Sequence, residues 1–262
     1  MAKFKSKKGP EKKGKKSGLT EKLQWLDPFH YVDLFVMPRV KKHTQNRIVE
    51  AAVNLVFAAI FAAIIYAVLG VLFGSSTPLV IVYSESMEPG FYRGDVMALT
   101  GATDASVYAQ EVTLDRSLAE APLEAFAAPK YEKGVLKALE FENGKEIFVN
   151  ESGSVIVYPA YPSGLPIIHR VIAKINANDG TYFLTKGDND LTNPTLDQDC
   201  GTILLNNPQK KCITFYAVKT EQIQGKAFLK IPFVGCVKLW LVDDLFSLAT
   251  TGRLPRDFKG IC

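Results

Sequence analysis

The stretch "LVIVYSESMEPGFYRGDVMALT", Leu79 to Thr100, contains two short apolar runs on either side of a polar, punctuated turn. The runs carry β-branched and aromatic residues, which are typical of strands. The residues between them include a proline and two glycines, which favour a tight turn. The sequence therefore predicts a strand, a turn that presents Ser84 and Ser86, and a second strand.

Upstream of these strands lies an uncharged segment, "AAVNLVFAAIFAAIIYAVLGVLF", from Ala51 to Phe73. Asn54 is its one strongly polar interruption. At about 1.5 Å per residue the segment is long enough to cross a hydrocarbon core of about 30 Å. It is too long, and starts too far along the chain, for a cleaved secretory signal. We predict a transmembrane helix within residues 49–74.

The charges are distributed unevenly along the 262 residues. Residues 1–48 carry thirteen Lys and Arg against four Asp and Glu, a net charge of +9, and the remainder carries 18 against 23, a net charge of −5. Lys41, Lys42 and Arg47 precede the apolar segment, and Glu85 is the first charged residue after it. The positive-inside rule then predicts that 1–48 is a basic cytoplasmic tail with an interfacial segment, and that 75–262 lies on the opposite side. A basic head with an acidic body does not indicate a nucleic-acid-binding face.

The body 75–262 contains further runs typical of strands, namely "SVIVY", "IIHRVIAKI", "TYFLTKG" and "KAFLKIPFVGCVKLWLV". An amphipathic helix is predicted through "WLVDDLFSLAT". Residues 101–154 are rich in Ala, Glu and Leu at moderate helical spacing, which predicts a helical insertion between strands. The fold class is therefore mainly β, with an N-terminal helix and this insertion.

The four cysteines allow two interpretations. Cys200 and Cys212 flank a short stretch and could form a disulfide in an extracytoplasmic body, or remain free thiols. Cys236 lies in an apolar run and is interpreted as a small buried hydrophobic residue.

Three short segments supply candidate catalytic groups. A serine hydroxyl such as that of Ser86 becomes a strong nucleophile when a base removes its proton. Histidine suits this task because its ordinary pKa lies near neutrality. His30 and His43 lie in the basic head, so His169 is the histidine predicted on the same side as Ser86. A loop rich in aspartate, "DNDLTNPTLDQD", could supply the carboxylate that orients a histidine.

Each signal has an ordinary structural interpretation as well. A serine in a tight turn is usually structural, a single histidine in a strand is usually packed or solvated, and an Asp-rich loop is usually a turn. The loop also lacks the spacing of a calcium-binding loop. The sequence therefore predicts no metal and no cofactor.

Together, "SESMEPGFYRGD", "HRVI" and "FLTKGDND…NPTLD" closely resemble signal peptidase I in its archaeal and endoplasmic-reticulum branch. The resemblance implies an antiparallel, barrel-like β body behind a transmembrane helix. It implies Ser86 as nucleophile and His169 as base, where the bacterial branch has a lysine. Ser84 would donate to the oxyanion, together with the backbone N–H of Ser86 or Met87.

Some implied roles stay open. Asp197 is the better match for the carboxylate that orients His169, with Asp188 supporting the serine loop, and the inverse assignment is the alternative. The run "LVIVY", with Val82 and Tyr83, would form a strand and pocket wall that bind substrate, or that strand would simply pack in the core.

The implied function is a membrane-anchored serine endopeptidase that cleaves signal peptides from exported preproteins. Its partners would be those signal peptides, the lipid bilayer and the protein-translocation channel, and no nucleic acid. The expected location is a cell membrane of archaeal type, or alternatively the reticulum membrane. The competing hypotheses are a non-catalytic membrane scaffold with a degenerate peptidase fold, and a self-cleaving regulator. His169 and the anchor disfavour the second, because such regulators are generally soluble and use lysine.

Overall fold

The long apolar segment folds as one continuous helix, Arg47–Phe73. The computed structural model describes residues 27–44, 46–206 and 213–253. Within these ranges this helix is the one long and apolar enough to cross a membrane, by its length and composition. Its 27 residues correspond to about 40 Å. The chain divides into two compact units, 1–67 and 68–262.

The described part of the first unit is mainly helical. Pro28 and Pro38 each stand in the first turn of a helical segment, where a proline leaves no backbone N–H unsatisfied. The predicted basic tail before Asp27 lies outside the described residues. The helical segments are α1 Pro28–Tyr31, a π-helical segment Val32–Val36, α2 Met37–His43 and α3 Arg47–Phe73.

The second unit is built from two sheets, as the strand-like runs predict. The strands are β1 Leu79–Ile81, β2 Val96–Thr100, β3 Gln110–Thr113, β4 Ala127–Glu132, β5 Val135–Phe141, β6 Glu146–Phe148, β7 Val155–Pro159, β8 Pro166–Ala177, β9 Gly180–Lys186, β10 Val218–Lys219 and β11 Gly225–Ile231. The larger sheet has the order β1-β2-β11-β7-β8-β9-β10, and the smaller has the order β4-β5-β6. All pairs are antiparallel except β3, which runs parallel to the second half of β8. The mainly antiparallel β body is thus confirmed.

Strand β8 pairs with three other strands of the larger sheet. Its first half pairs with β7, where Ile156 faces His169 across the ladder. Its second half pairs with β3 and β9. The β8–β9 register shifts between Val171 and Ala173, directly after His169 and Arg170. Such bulges often lie next to functional sites, because they change the direction of nearby side chains.

The prediction that 101–154 is a helical insertion is wrong. This region contains β3 to β6 and one short 3₁₀ turn, Leu123–Ala125. The β4–β5 turn at Lys133 and Gly134 has positive φ at both residues, 51° and 80°, as tight hairpins require. Apolar side chains from β5, including Leu139 and Phe141, pack with Ile175 of β8 in the largest core cluster. The segment is therefore part of the β core, and tertiary burial outweighs its helical composition.

The final predicted strand ends earlier than expected, at Ile231. A turn over 232–235 follows, in which Phe233 has a φ of 58°. Helical segments then follow at Cys236–Lys238, Leu239–Leu245 and Phe246–Thr251. The helix predicted through "WLVDDLFSLAT" is therefore confirmed.

The described cysteines are both disulfide-bonded. Cys200 lies at the start of helix α4, Cys200–Asn206, and Cys236 is buried; each forms a disulfide. Cys236 is therefore buried, as predicted, and its sulfur is also part of a disulfide, which the sequence did not indicate. Cys212, the predicted partner of Cys200, lies outside the described residues.

Candidate active site

Ser86 and His169 meet in the second unit, although 83 positions separate them. Ser86 lies in the turn between β1 and β2, and His169 lies on β8. The Nε2 atom of His169 is 3.0 Å from the Oγ atom of Ser86. Both side chains are nearly buried, with 9% and 3% of their residue surface exposed.

The other nitrogen of His169 contacts Asp197. Nδ1 of His169 is 2.7 Å from Oδ2 of Asp197, and Asp197 is 1% exposed. The backbone N–H of Asp197 donates to the carbonyl of Thr185 at 2.9 Å, which fixes the loop after β9 beside that strand. Ser86, His169 and Asp197 thus form one continuous line of hydrogen bonds.

Asp188 has a different partner. Its two carboxylate oxygens accept hydrogen bonds from Nε and Nη2 of Arg170, at 2.8 Å and 2.7 Å. Arg170 also donates from Nη1 to the carbonyls of Glu151 and Gly153, both at 2.8 Å. This ion pair therefore connects β8 to the loops before β7 and after β9.

The other two candidate aspartates also stabilise local structure. Asp190 pairs with the buried Lys186 at 2.7 Å. Asp199 accepts a hydrogen bond from the hydroxyl of Tyr131 and caps α4 through the backbone N–H of Thr202.

The loop after β9 also holds the backbone of the serine turn. Asn189 donates its backbone N–H to the carbonyl of Ser86 and its side-chain Nδ2 to the carbonyl of Glu85, both at 2.9 Å. A Cβ atom on Gly187 would lie 2.6 Å from the carbonyl oxygen of Ser86. The close approach of these two loops therefore requires glycine at this position.

The serine turn is held closed by hydrogen bonds from its second half and by a buried methionine. The Asp95 carboxylate accepts the backbone N–H groups of Tyr92 and Phe233. Arg93 donates to the carbonyl of Tyr83 at 3.3 Å. Met87 is fully buried beneath the turn. The hydroxyl of Ser84 lies 3.0 Å from that of Ser86, on the same side of the turn.

A groove of about 820 Å³ opens at Ser86 and His169. Its walls are mainly apolar and come from both β1 and the start of β8. The lining residues are Ile81, Tyr83, Ser84, Glu85, Ser86, Arg93, Leu165, Pro166, Ile167, Ile168, His169, Thr192, Asn193 and Ile213.

Of the two residues predicted to bind substrate, Tyr83 lines the groove and Val82 does not. The Val82 side chain is 1% exposed and packs against Met97, Leu99 and Val157 in the core. Successive side chains of an extended segment point to opposite sides, so Ile81 and Tyr83 face the groove while Val82 faces inward. The Val82 side chain is therefore placed in the core and not in the groove, where Ile81 and Tyr83 lie.

Tyr158 is a further residue of the site that was not predicted from the sequence, and its hydroxyl donates to Oδ2 of Asp197 at 2.8 Å. Burial first, and the charge of Asp197 second, raise the pKa of Tyr158 well above its usual value of 10.0. Tyr158 ends the run "SVIVY". The β7–β8 register places it two residues from Ile156, which faces His169, and therefore on the face that His169 occupies. The β7–β8 register, had it been known, would have identified Tyr158 as a neighbour of the site.

This arrangement is suited to proton transfer from a hydroxyl. An imidazole nitrogen within hydrogen-bond distance of a serine can accept its proton as the oxygen attacks a carbonyl carbon. A carboxylate on the second nitrogen fixes the imidazole tautomer and stabilises the imidazolium.

Comparison with known proteins finds no matching family model, but it finds similar individual proteins. A signal peptidase complex catalytic subunit SEC11 of Plasmodium falciparum is 25% identical over 189 residues, which cover 72% of this chain and 71% of that protein. The SEC11 subunit of Fusarium vanettenii is 28% identical over 67% of this chain and 70% of its own length. That of Schizosaccharomyces pombe is 26% identical over 72% and 80%. The resemblance seen in the sequence motifs is thus confirmed, and the chain is a homologue of the SEC11 catalytic subunits of signal peptidase complexes.

Proposed function

We propose that this protein is a membrane-anchored serine endopeptidase that removes signal peptides from exported preproteins. The observation that carries the proposal is the line of hydrogen bonds from Ser86 through His169 to Asp197. In this mechanism His169 takes the proton of Ser86 as its oxygen attacks the scissile carbonyl, and then gives that proton to the leaving amine. Asp197 holds the imidazole throughout. A non-catalytic scaffold would not need these contacts.

The oxyanion of the tetrahedral intermediate would be held beside Ser86. The hydroxyl of Ser84, 3.0 Å from that of Ser86, supports its assignment as one donor. A backbone N–H of the serine turn would be the second. The loop of Asn189 holds the carbonyls of Glu85 and Ser86 in place, so these donors would be preorganised before substrate binds.

The groove supports an extended apolar peptide as the substrate. β1 is the terminal strand of the larger sheet, so a substrate strand could add its backbone hydrogen bonds beside it. The residues Ile81, Tyr83 and Ile168 would then contact alternate substrate side chains. Ser86 follows the end of the long helix by thirteen residues, which keeps it within about 45 Å of the membrane surface even if the connection is fully extended.

The surface of the body supports contact with lipid. Large apolar side chains are exposed along β11 and the helical segments after it, namely Phe228, Leu229, Phe233, Val234, Val237, Trp240 and Leu241. Exposed apolar surface that includes aromatic residues is typical of proteins that lie against a membrane. We infer that the protein is single-pass, with a cytoplasmic N-terminus in either a cell membrane or the reticulum membrane. Its relatives are named as subunits of a complex, and partner subunits are proposed here too.

The test is cleavage of a preprotein by membranes that contain the protein. We expect wild type to release the mature product at a single site. Ser86→Ala and His169→Ala should each lower kcat by about 10³-fold or more, because nucleophile and base act as a unit. The matched controls are Ser152→Ala, an exposed serine, and His43→Ala, a histidine of the first unit. Near-normal turnover by either active-site variant would contradict the assignment.

A further inference from the structure

The hydroxyl of Tyr158 contacts Asp197, the residue that also contacts His169. Its oxygen is 2.8 Å from Oδ2 of Asp197 and 2.9 Å from Oγ1 of Thr185. Oδ2 is the same atom that lies 2.7 Å from Nδ1 of His169. One carboxylate oxygen is therefore held by two donors, which come from the adjacent strands β7 and β8.

The direction of these hydrogen bonds follows from the number of protons available. A carboxylate only accepts, so the single proton of the Tyr158 hydroxyl points to Asp197. The Thr185 hydroxyl must then donate to Tyr158. Nε2 of Gln198 in turn donates to Oγ1 of Thr185 at 3.1 Å, while its Oε1 accepts the backbone N–H of Thr185, also at 3.1 Å. The chain of donors runs from Gln198 through Thr185 and Tyr158 to Asp197.

We propose that Tyr158 is a positioning residue of the active site, which acts on His169 through Asp197. The inference rests on the proposed peptidase function. The two donors on Oδ2 fix the orientation of the Asp197 carboxylate towards Nδ1 of His169. This orientation favours the tautomer of His169 that carries its proton on Nδ1. The hydroxyl also shares the negative charge, which makes Asp197 a weaker acceptor for a proton.

The proton balance of the reaction explains why this matters. The proton of Ser86 moves to Nε2 of His169 and then to the leaving amine, and no proton moves to Asp197 or Tyr158. A carboxylate with a second strong donor leaves the Nδ1 proton on the imidazolium, which keeps the Nε2 proton available for the amine. Burial holds the pKa of Tyr158 well above its usual value, so its hydroxyl keeps the donor proton.

The first test removes the Tyr158 hydroxyl and keeps the ring. Tyr158→Phe should lower kcat by about ten-fold with KM unchanged, since a hydrogen bond to a charged group is lost away from the substrate. Tyr182→Phe is the matched control, because Tyr182 is also buried and its hydroxyl donates to Asp179 at 2.8 Å. The control should lose a similar amount of thermal stability and retain wild-type kcat.

The second test observes His169 without any turnover. The chain has three histidines, so the Nδ1 proton of His169 can be assigned in ¹⁵N-histidine-labelled protein by its loss in His169→Ala. Tyr158→Phe should shift this resonance. Oδ2 of Asp197 then loses the hydrogen bond from Tyr158 and keeps the one from Nδ1 of His169, which changes the strength of the remaining bond. Tyr182→Phe should leave it in place.

The outcomes separate this inference from the function on which it rests. If wild-type protein cleaves no preprotein, the proposed function fails. If wild type is active and Tyr158→Phe keeps both its kcat and its His169 resonance, only the role of Tyr158 is overturned. Should Tyr158→Phe not fold, Thr185→Val replaces it. For Thr185→Val we expect about a three-fold loss of kcat and a smaller shift of the same resonance. If kcat and the resonance both stayed at their wild-type values, the inference would be overturned.

Discussion

Two carboxylates of one loop have different tasks because they have different neighbours. Asp197 is buried against His169 and Tyr158. Asp188 faces the guanidinium of Arg170 in a bidentate pair. The first contact can influence proton transfer, whereas the second holds the loop that supports the serine turn. The alternative in which Asp188 orients His169 has no contact in the structure to support it.

Substitution of the two aspartates should separate these tasks. Asp197→Asn should lower kcat by about 10³–10⁴-fold, because an amide favours the wrong imidazole tautomer. Asp188→Asn should lower the free energy of unfolding by about 2 kcal/mol, through loss of a hydrogen-bonded charge pair. Its kcat should fall far less. Preprotein cleavage and thermal unfolding of both variants provide the comparison.

If Asp188→Asn were instead the more damaging change to kcat, with unaltered stability, the assignment of the orienting carboxylate to Asp197 would be wrong. Asp190→Asn serves as the control for a carboxylate of the same loop that pairs with Lys186.

At the scale of elements, the β8–β9 hairpin organises the second unit. Its first strand carries His169, and the loop that follows its second strand carries Asp197. The turn between the strands holds a separate segment through Asp179. That carboxylate accepts hydrogen bonds from the hydroxyls of Ser117 and Tyr182 and from the backbone N–H groups of Leu118 and Ala119. The hydrogen bond from Ser117, followed by those of Leu118, Tyr182 and Ala119, holds the pKa of Asp179 well below its usual value of 3.8.

This shift predicts how stability depends on pH. A carboxyl group with a lowered pKa in the folded state contributes its stability above its unfolded pKa and loses it as pH falls towards the folded value. The midpoint of thermal unfolding of wild type should therefore fall more steeply below about pH 4 than that of Asp179→Asn. At neutral pH the variant should be the less stable protein. Parallel pH dependences in the two proteins would contradict a role for Asp179 in acid stability.

At the scale of the whole molecule, the distribution of charge sets the expected orientation. The basic residues Lys41 and Lys42 lie before the apolar helix, Arg47 is its first residue, and the acidic body lies after it. The Lys and Arg residues favour retention of the N-terminus on the cytoplasmic side.

Protease protection should report this orientation. In sealed vesicles whose cytoplasmic face is outside, added protease should remove an N-terminal epitope and leave the body 75–262 intact. Replacing Lys41, Lys42 and Arg47 with glutamate should increase the fraction inserted in the opposite orientation. The matched control replaces Lys130, Lys133 and Lys137 of the body, which lie far from the helix in sequence. Protection of the epitope in wild type would exclude a cytoplasmic N-terminus.

The sequence by itself determined the membrane helix, the β class of the body and the pairing of Ser86 with His169. Uniform apolarity over more than twenty residues identifies a spanning helix, and with two of the three histidines in the basic head, His169 is the one left beside Ser86. These are properties of composition and order along the chain. The β character of 101–154 was missed because its Ala and Leu spacing resembles a helix, although its Lys-Gly and Asn-Gly turns indicate hairpins.

Only the tertiary structure decided which aspartate contacts His169, which side of the Val82 segment faces the groove, and that Tyr158 supports Asp197. Asp188 and Asp197 stand nine positions apart in one loop, and nothing local distinguishes their environments. Their partners come from strands whose register is set by packing across the whole sheet, since a slip of one residue would turn every side chain to the opposite face. Register is a property of the folded sheet, and for that reason the residues were predictable while their contacts were not.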